Sequence, residues 1–320
     1  MDIDLNVLRV IEREREIPLE TLIELIEQAL FLAYQKTEGA WPDARAELDK
    51  STGEVRILAV EFDNDDNPIG EFDDTPTGFG RIAAQTARQV IHQRLRDVED
   101  ETLLGTFKGR EGEIVSGIIQ QGRDPQMIQV DIGDVEAVLP PHEQVPGETY
   151  AHGTRLRVYI ADVHKGTKGT SVTVSRTHPN LVRRLFAHEA PEIADGTVEI
   201  VSLAREAGHR TKLAVRATKP GVNAKGSCIG ELGSRVRAVM NELGQEKIDI
   251  VDYSDDPAKF IAHALSPAKA KSVEILDAAA QESRAVVPID QLSLAIGKEG
   301  QNARLAAKLT GWKIDIVAGE

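Results

Sequence analysis

The chain reads as a multidomain α+β protein of 320 residues. Three observations carry that reading. Residues 1–102 mix helical periodicity with a hairpin pattern, five short alternating strands follow, and one stretch of sequence is then written twice, 67 positions apart.

In the head, Ile3, Val7, Leu8 and Ile11 recur at helical spacing, as do Leu22, Ile26, Ala29, Leu30 and Ala33 in a helix opened by Pro18. Glu47–Lys50 and Glu54–Phe62, joined by Ser51-Thr52-Gly53, predict a hairpin. Asp63–Asp74 is acidic, carries Pro68 and Gly70, and predicts a loop. Ile82–Val98 predicts a helix with Ala83, Ala87, Val90 and Ile91 inward and Arg88, Arg94 and Arg96 outward.

From about Thr102 the texture changes. Glu113–Ile119, Met127–Ile132, Val135–Leu139, Arg155–Val163 and Ser171–Ser175 alternate apolar and polar residues between Gly or Pro turns, which predicts a small β-barrel.

The repeat is specific. Ile229-Gly230-Glu231-Leu232-Gly233, with Arg237 and Gly244, returns as Ile296-Gly297-Lys298-Glu299-Gly300, with Arg304 and Gly311. Each copy runs into an identical Ile-Asp-Ile-Val, at Ile248–Val251 and Ile314–Val317. Matching frames with matching strands behind them imply two copies of one folding unit. Each copy opens with a helix, at His178-Pro179 and Asp256-Pro257. Two strands follow (Thr197–Leu203 and Arg210–Arg216; Ser272–Leu276 and Arg284–Val287), then helix, glycine turn, helix and strand. The domain boundaries expected from these changes are 1–102, 103–176, 177–253 and 254–320.

Charge is unevenly placed. The net value is −14, but residues 1–102 hold 24 acids and 11 bases while residues 103–320 are nearly balanced. Within 205–237 there are eight bases against two acids, the expected seat for phosphates. Aromatics are only 4%, so base stacking is not the main device. The single cysteine, Cys228, excludes an internal disulfide and reads as a small buried residue rather than a catalytic thiol. The eight histidines lack metal-ligand spacing, and no metal, cofactor or catalytic residue is assigned. Asp63, Asp65, Asp66, Asp73 and Asp74 read as a solvated acidic loop rather than a Mg²⁺ site. The N-terminal segment shows no signal-peptide pattern and no apolar run approaches spanning length, so the expectation is a cytoplasmic chain off the membrane.

The glycine turn has a physical purpose. Glycines at both ends accept backbone angles other residues avoid and leave no Cβ between the chain and a phosphate. The following helix starts at the ligand, with free N–H groups and the positive end of its dipole. The residues expected to meet a phosphate backbone are Lys225, Ile229, Gly230, Gly233, Ser234, Arg235 and Arg237 in the first copy. In the second they are Ile296, Gly297, Lys298, Glu299, Gly300, Gln301, Asn302 and Arg304. Ile229 and Ile296 would floor the groove, and Gln301, Asn302 and Arg304 would reach backbone or base edges. Glu231 stands where Lys298 stands in the second copy, a cost of about 0.5–1 kcal/mol to an approaching phosphate at a solvated site. The first copy is therefore expected to grip less tightly.

The α-β-β-α-α-β order is similar to the bacterial, type II KH domain, and the strand marks Gly-Glu-Ile-Val-Ser-Gly, Val-Asp-Ile-Gly and Ala-Val-Leu-Pro resemble an S1 domain, an OB-fold. An acidic α+β head, an S1 barrel and two successive KH units together resemble the family of the bacterial transcription factor NusA. Ile296–Leu305, Leu309–Val317, Glu246–Tyr253 and Gly226–Val236 match best, with Glu20–Tyr34 and Gly80–Arg94 in the head. The resemblance implies a non-enzymatic monomer whose head docks on core RNA polymerase near the RNA exit channel. Its S1 and KH units would hold nascent single-stranded RNA, acting with other Nus factors on pausing, hairpin-dependent termination and antitermination. The competing readings are a general RNA-binding accessory of the ribosome or RNA decay machinery, and a nuclease.

Overall fold

The computed structural model describes residues 3–15, 17–63, 68–122, 124–166 and 169–319. Contacts divide the chain into two units, one running to Thr102 and the other beginning at Leu103.

In the head, α1 (Leu5–Arg15) and α2 (Leu19–Tyr34) precede an antiparallel sheet of β1 (Ala44–Leu48), β2 (Val55–Phe62) and β3 (Pro68–Asp73), and α3 (Phe79–Lys108) follows. Leu8, Leu22, Ile23, Ile26, Leu30, Ile57, Phe79 and Ala83 form the core. Pro18 precedes α2 without spoiling it, because a proline N–H is not needed there. Val7, expected inward, is 49% exposed; Leu8 and Ile11 take the buried stripe.

The loop expected over Asp63–Asp74 is corrected over its described part. Residues 68–73 form β3, an edge strand pairing Leu58 with Asp73 and Ala59 with Phe72. The alternation that announces a strand is missing because none of its residues is buried, and a Pro at its first position is acceptable on an edge. Asp65 and Asp66 lie outside the described residues. Asp73 accepts from Thr75, and Asp74 accepts from the Tyr34 hydroxyl.

Helix α3 is also longer than its sequence pattern suggests: it continues to Lys108, and Phe107 is buried in the core of the barrel that follows. That barrel is closed, in the order β4 (Ile114–Gln120), β5 (Ile128–Asp131), β6 (Glu136–Leu139), β8 (Gly169–Ser175), β7 (Arg155–Gly166), with β7 returning to β4. All five strands fall where alternation placed them.

The two repeats are twins. The first comprises α4 (Pro179–Glu189), α5 (Pro191–Ala194), β9 (Val198–Glu206), β10 (Arg210–Ala217), α6 (Ala224–Ile229), α7 (Ser234–Glu242) and β11 (Lys247–Asp252). The second comprises α8 (Pro257–Ala264), β12 (Ser272–Asp277), β13 (Glu282–Pro288), α9 (Leu292–Ile296), α10 (Gln301–Thr310) and β14 (Lys313–Gly319). In both, the middle strand runs antiparallel to the first and parallel to the last.

A shared core joins them. Ala204, Ala214 and Val251 lie on one face of the first repeat's sheet and are buried with Phe260, Ile261, Leu265, Leu305 and Leu309 of the second. Small residues on that sheet let α8 and α10 approach closely. Apolar residues on the other side of the same sheet, Leu213, Val215 and Ile250, bury against α4, α6 and α7.

Candidate nucleic-acid interface

The two glycine turns have one geometry. Gly230 sits at φ 73°, ψ 174° and Gly297 at 77°, 170°; Gly233 at 78°, 18° and Gly300 at 73°, 12°. Between them Leu232 (φ 50°, ψ 24°) and Glu299 (φ 54°, ψ 27°) hold the same left-handed conformation. Non-glycine residues pay to sit there, so its occurrence at equivalent positions marks a turn shape that the surrounding structure enforces.

The paired glycines serve different ends. A Cβ at Gly297 would lie 2.8 Å from both Cβ and backbone N of Asn302, and one at Gly230 would lie 2.6 Å from Arg235 Cγ. The first glycine therefore lets the chain pass close against the next helix. A Cβ at Gly300 would meet nothing within 4 Å, and at Gly233 only side-chain atoms at 3.9 and 4.0 Å. The second glycine faces open space, where a phosphate can approach.

Neither Gly233 nor Gly300 caps its helix with a side chain, so the first-turn N–H groups of α7 and α10 have no side-chain cap. Both turns are open: Glu231, Lys298 and Glu299 are exposed, and Leu232 is 88% exposed.

Lys298 forms no side-chain hydrogen bond or ion pair among the described residues, and neither does Lys225, half-buried at the start of α6. Ser234 is exposed at the start of α7, and Ile229 packs partly into the first repeat's core. Ile296, beside Gly297, is 38% exposed, and Leu294 and Ile289 in the same segment are 47% and 78% exposed. The sequence does not single out Leu294 and Ile289, because nothing in a lone apolar residue says that it points outward.

The expected seat for phosphates over residues 205–237 is largely corrected. Arg205 and Glu246 form a buried pair, 2% and 0% exposed. Arg210 and Lys212 share Asp249, and Lys212 also donates to the Ser266 carbonyl. Arg216 binds Glu199, and Arg235 binds Glu192 and the Ser227 carbonyl. Each of these cations is spent on a neighbouring carboxylate rather than left free for a phosphate. Arg237 keeps a free edge, donating to the Leu232 carbonyl.

Asn302 is a second correction. It is 1% exposed, and its Nδ2 donates to the Ala295 and Leu265 carbonyls, tying α10 across the turn to α9 and to the end of α8 rather than reaching for a base. Gln301 and Arg304 both donate to Glu206 of the first repeat. Cys228 is fully buried and burial, then Glu192, pushes its thiol up to about 12, which leaves it inert.

The barrel joins the first repeat through Arg176, 2% exposed. It donates to Glu148 of the barrel and to the Glu242 carbonyl of α7. Burial works against its charge, but the Glu148 and Glu242 carboxylates outweigh it and raise its pKa. The Arg157 N–H also donates to Glu242 Oε1.

A closed five-stranded barrel followed by two stacked α-β-β-α-α-β units with open glycine turns defines a multidomain protein of the KH class. Family models match accordingly: the NusA N-terminal domain over residues 5–69 and 59–101, the NusA-like first KH domain over 176–253, and the NusA-like second KH domain over 257–320. The chain is 58% identical over 323 aligned positions to the transcription termination/antitermination protein NusA of Mycobacterium tuberculosis, covering 99% of this chain and 93% of that one. It is 47% identical to that of Bacillus subtilis, covering 98% and 90%. A solution structure of the N-terminal domain of NusA from B. subtilis aligns over 30% of this chain and 94% of its own, at 33% identity and a TM-score of 0.26. The chain belongs to the NusA family.

Proposed function

We propose that this chain is an RNA-binding transcription termination/antitermination factor, with no catalytic role of its own. Residues 1–102 form the surface for core RNA polymerase, and residues 103–176, 177–253 and 254–320 are the S1, first KH and second KH domains that hold nascent single-stranded RNA. The relatives' shared name, which spells out termination and antitermination, supports the transcriptional reading. The observation that carries the RNA reading is the pair of open glycine turns with matching backbone angles. The contacting residues are Lys225, Ile229, Gly230, Gly233, Ser234, Arg235 and Arg237, then Ile296, Gly297, Lys298, Glu299, Gly300, Gln301 and Arg304, with Asn302 holding the second turn in shape. Arg235, Gln301 and Arg304 contribute through whichever donors their protein partners leave free. Other Nus factors are the further partners, and the protein works as a monomer in the cytoplasm; among the described residues no helix is long and apolar enough to cross a membrane.

A KH groove clamps about four nucleotides. The shared core makes the two grooves one rigid surface, so together they take about eight. The test is transcription in vitro with purified RNA polymerase, following pause lifetimes and terminator read-through. Adding the full chain changes both, and substituting Gly233 and Gly300 by Asp removes the part that depends on exposed transcript. No effect of the intact chain on either readout would defeat the proposal.

A further inference from the structure

A cavity of about 540 Å³ lies away from both glycine turns, between the barrel and the first KH domain. Its wall includes Tyr159 of β7, Asn180, Arg183 and Arg184 of α4, Ile193 of α5 and Ile200 of β9. Its volume is within the range of about 300–1,000 Å³ typical of small-ligand sites.

The two arginines differ from most of the arginines of this domain. Arg205, Arg210, Arg216 and Arg235 each hold a carboxylate. Arg183, half-buried, donates only to the Ile200 carbonyl (2.6 Å), and Arg184 only to the Gly112 carbonyl (2.8 Å). Neither makes an ion pair among the described residues. Glu199 also lines the cavity but is taken by Arg216 at 2.9 Å. Burial holds the Arg183 guanidinium below its ordinary value, with Glu199 opposing only at a distance. A partly desolvated charge without a counter-ion is costly, and an anion entering the cavity would remove that cost. Each guanidinium has five donors, so several remain after one carbonyl is served.

One short chain of residues leads from the cavity wall toward the first glycine turn. Ile193 is the neighbour of Glu192, which holds Arg235 (2.8 Å) immediately behind Gly233 and Ser234. Apolar Ile193 and Ile200 line one side, while Asn180 and the Tyr159 hydroxyl, 3.3 Å apart, supply polar edges. Cationic donors beside apolar side chains suit a nucleotide: phosphates on the arginines and the base in apolar contact with the isoleucines.

We infer that this cleft is a further RNA subsite, which takes nucleotides of a single strand leaving the first KH groove toward the barrel. The inference rests on the KH grooves holding RNA as proposed above.

The experiment compares unstructured single-stranded RNAs of about eight nucleotides, enough for two KH grooves, and about sixteen, by fluorescence anisotropy over a salt series. The proteins are the full chain, Arg183→Gln/Arg184→Gln, and Ala187→Phe, which fills the cavity from its wall without removing charge. The full chain binds the longer RNA more tightly. Both variants bind the shorter RNA as the full chain does and lose the gain with length. For the double variant the salt slope of log K falls by about 1.4 for the longer RNA alone, the share of two phosphates on a single strand. If Ala187→Phe and the double variant bind the longer RNA like the full chain, or lose equally on both lengths, the subsite is overturned while the KH grooves stand. If the unsubstituted chain binds neither RNA, the grooves themselves fail and the subsite with them.

Discussion

Arg304, in the first turn of α10 behind the second glycine turn, donates to Glu206 at the end of β9 in the first KH domain, at 2.6 Å. The same carboxylate accepts from Gln301 at 2.8 Å. The helix that presents the second turn is thus fastened to the sheet of the first domain. The carboxyl of Glu206 is held below the usual carboxylate range, first by the Arg304 hydrogen bond and then, against burial, by Gln301. A depressed value means that the contribution is complete above the unfolded-state pKa of about 4.3 and is lost as pH falls through the lower folded value. Glu206→Gln should therefore lower the unfolding temperature at neutral pH and approach the unsubstituted chain under strongly acidic conditions. Melting curves that stay parallel across the acid range would show that this pair is not the source.

Gly297 and Gly300 should respond differently to alanine. At Gly297 the new Cβ adds a clash with the α10 backbone to a conformation almost confined to glycine, so Gly297→Ala should cost about 3 kcal/mol or more. At Gly300 only left-handed strain applies, about 1–2 kcal/mol. Denaturant titration of both variants ranks them, and the reverse order would contradict the roles assigned to the two glycines.

Lys298 and Glu231 stand at equivalent places in the twin turns, both exposed. Lys298→Ala should weaken single-stranded RNA binding and reduce the salt slope of log K by about 0.7, the share of one phosphate on a single strand. Glu231→Lys should tighten it. Filter binding across a salt series reads both, and an unchanged slope for Lys298→Ala removes this lysine from the phosphate contacts.

The Arg205–Glu246 pair sits at the core of the first KH domain, where Glu246 also accepts from Thr211 and from the Gly208 N–H. Glu246→Ala leaves a buried guanidinium without its counter-ion and should cost about 3–5 kcal/mol. Equilibrium unfolding measures it; a loss below 1 kcal/mol, on the order of a surface pair, would mean that solvent reaches the site.

The elements legible in the sequence were those with a local signature. Five barrel strands alternate, the α-β-β-α-α-β order repeats, and each glycine turn is written as a motif. Strand β3 escaped because an edge strand with no buried face has no alternation to show. Arg304 and Glu206 are 98 positions apart, and Arg205 and Glu246 are 41 apart. No local pattern announces such pairs, so cations already held by distant carboxylates read as a free basic patch. Asn302 read as a ligand contact because the sequence shows a polar residue at the start of a helix, not the two carbonyls waiting behind it.

The most direct test of the account is equilibrium binding of single-stranded RNA by the full chain carrying Gly233→Asp and Gly300→Asp. Both positions open outward and aspartate tolerates their left-handed angles better than most residues, so the substitution places a negative charge in the phosphate path while sparing the fold. The double variant should melt within a few degrees of the unsubstituted protein and no longer bind RNA at physiological salt. A folded double variant that binds RNA with undiminished affinity would contradict it.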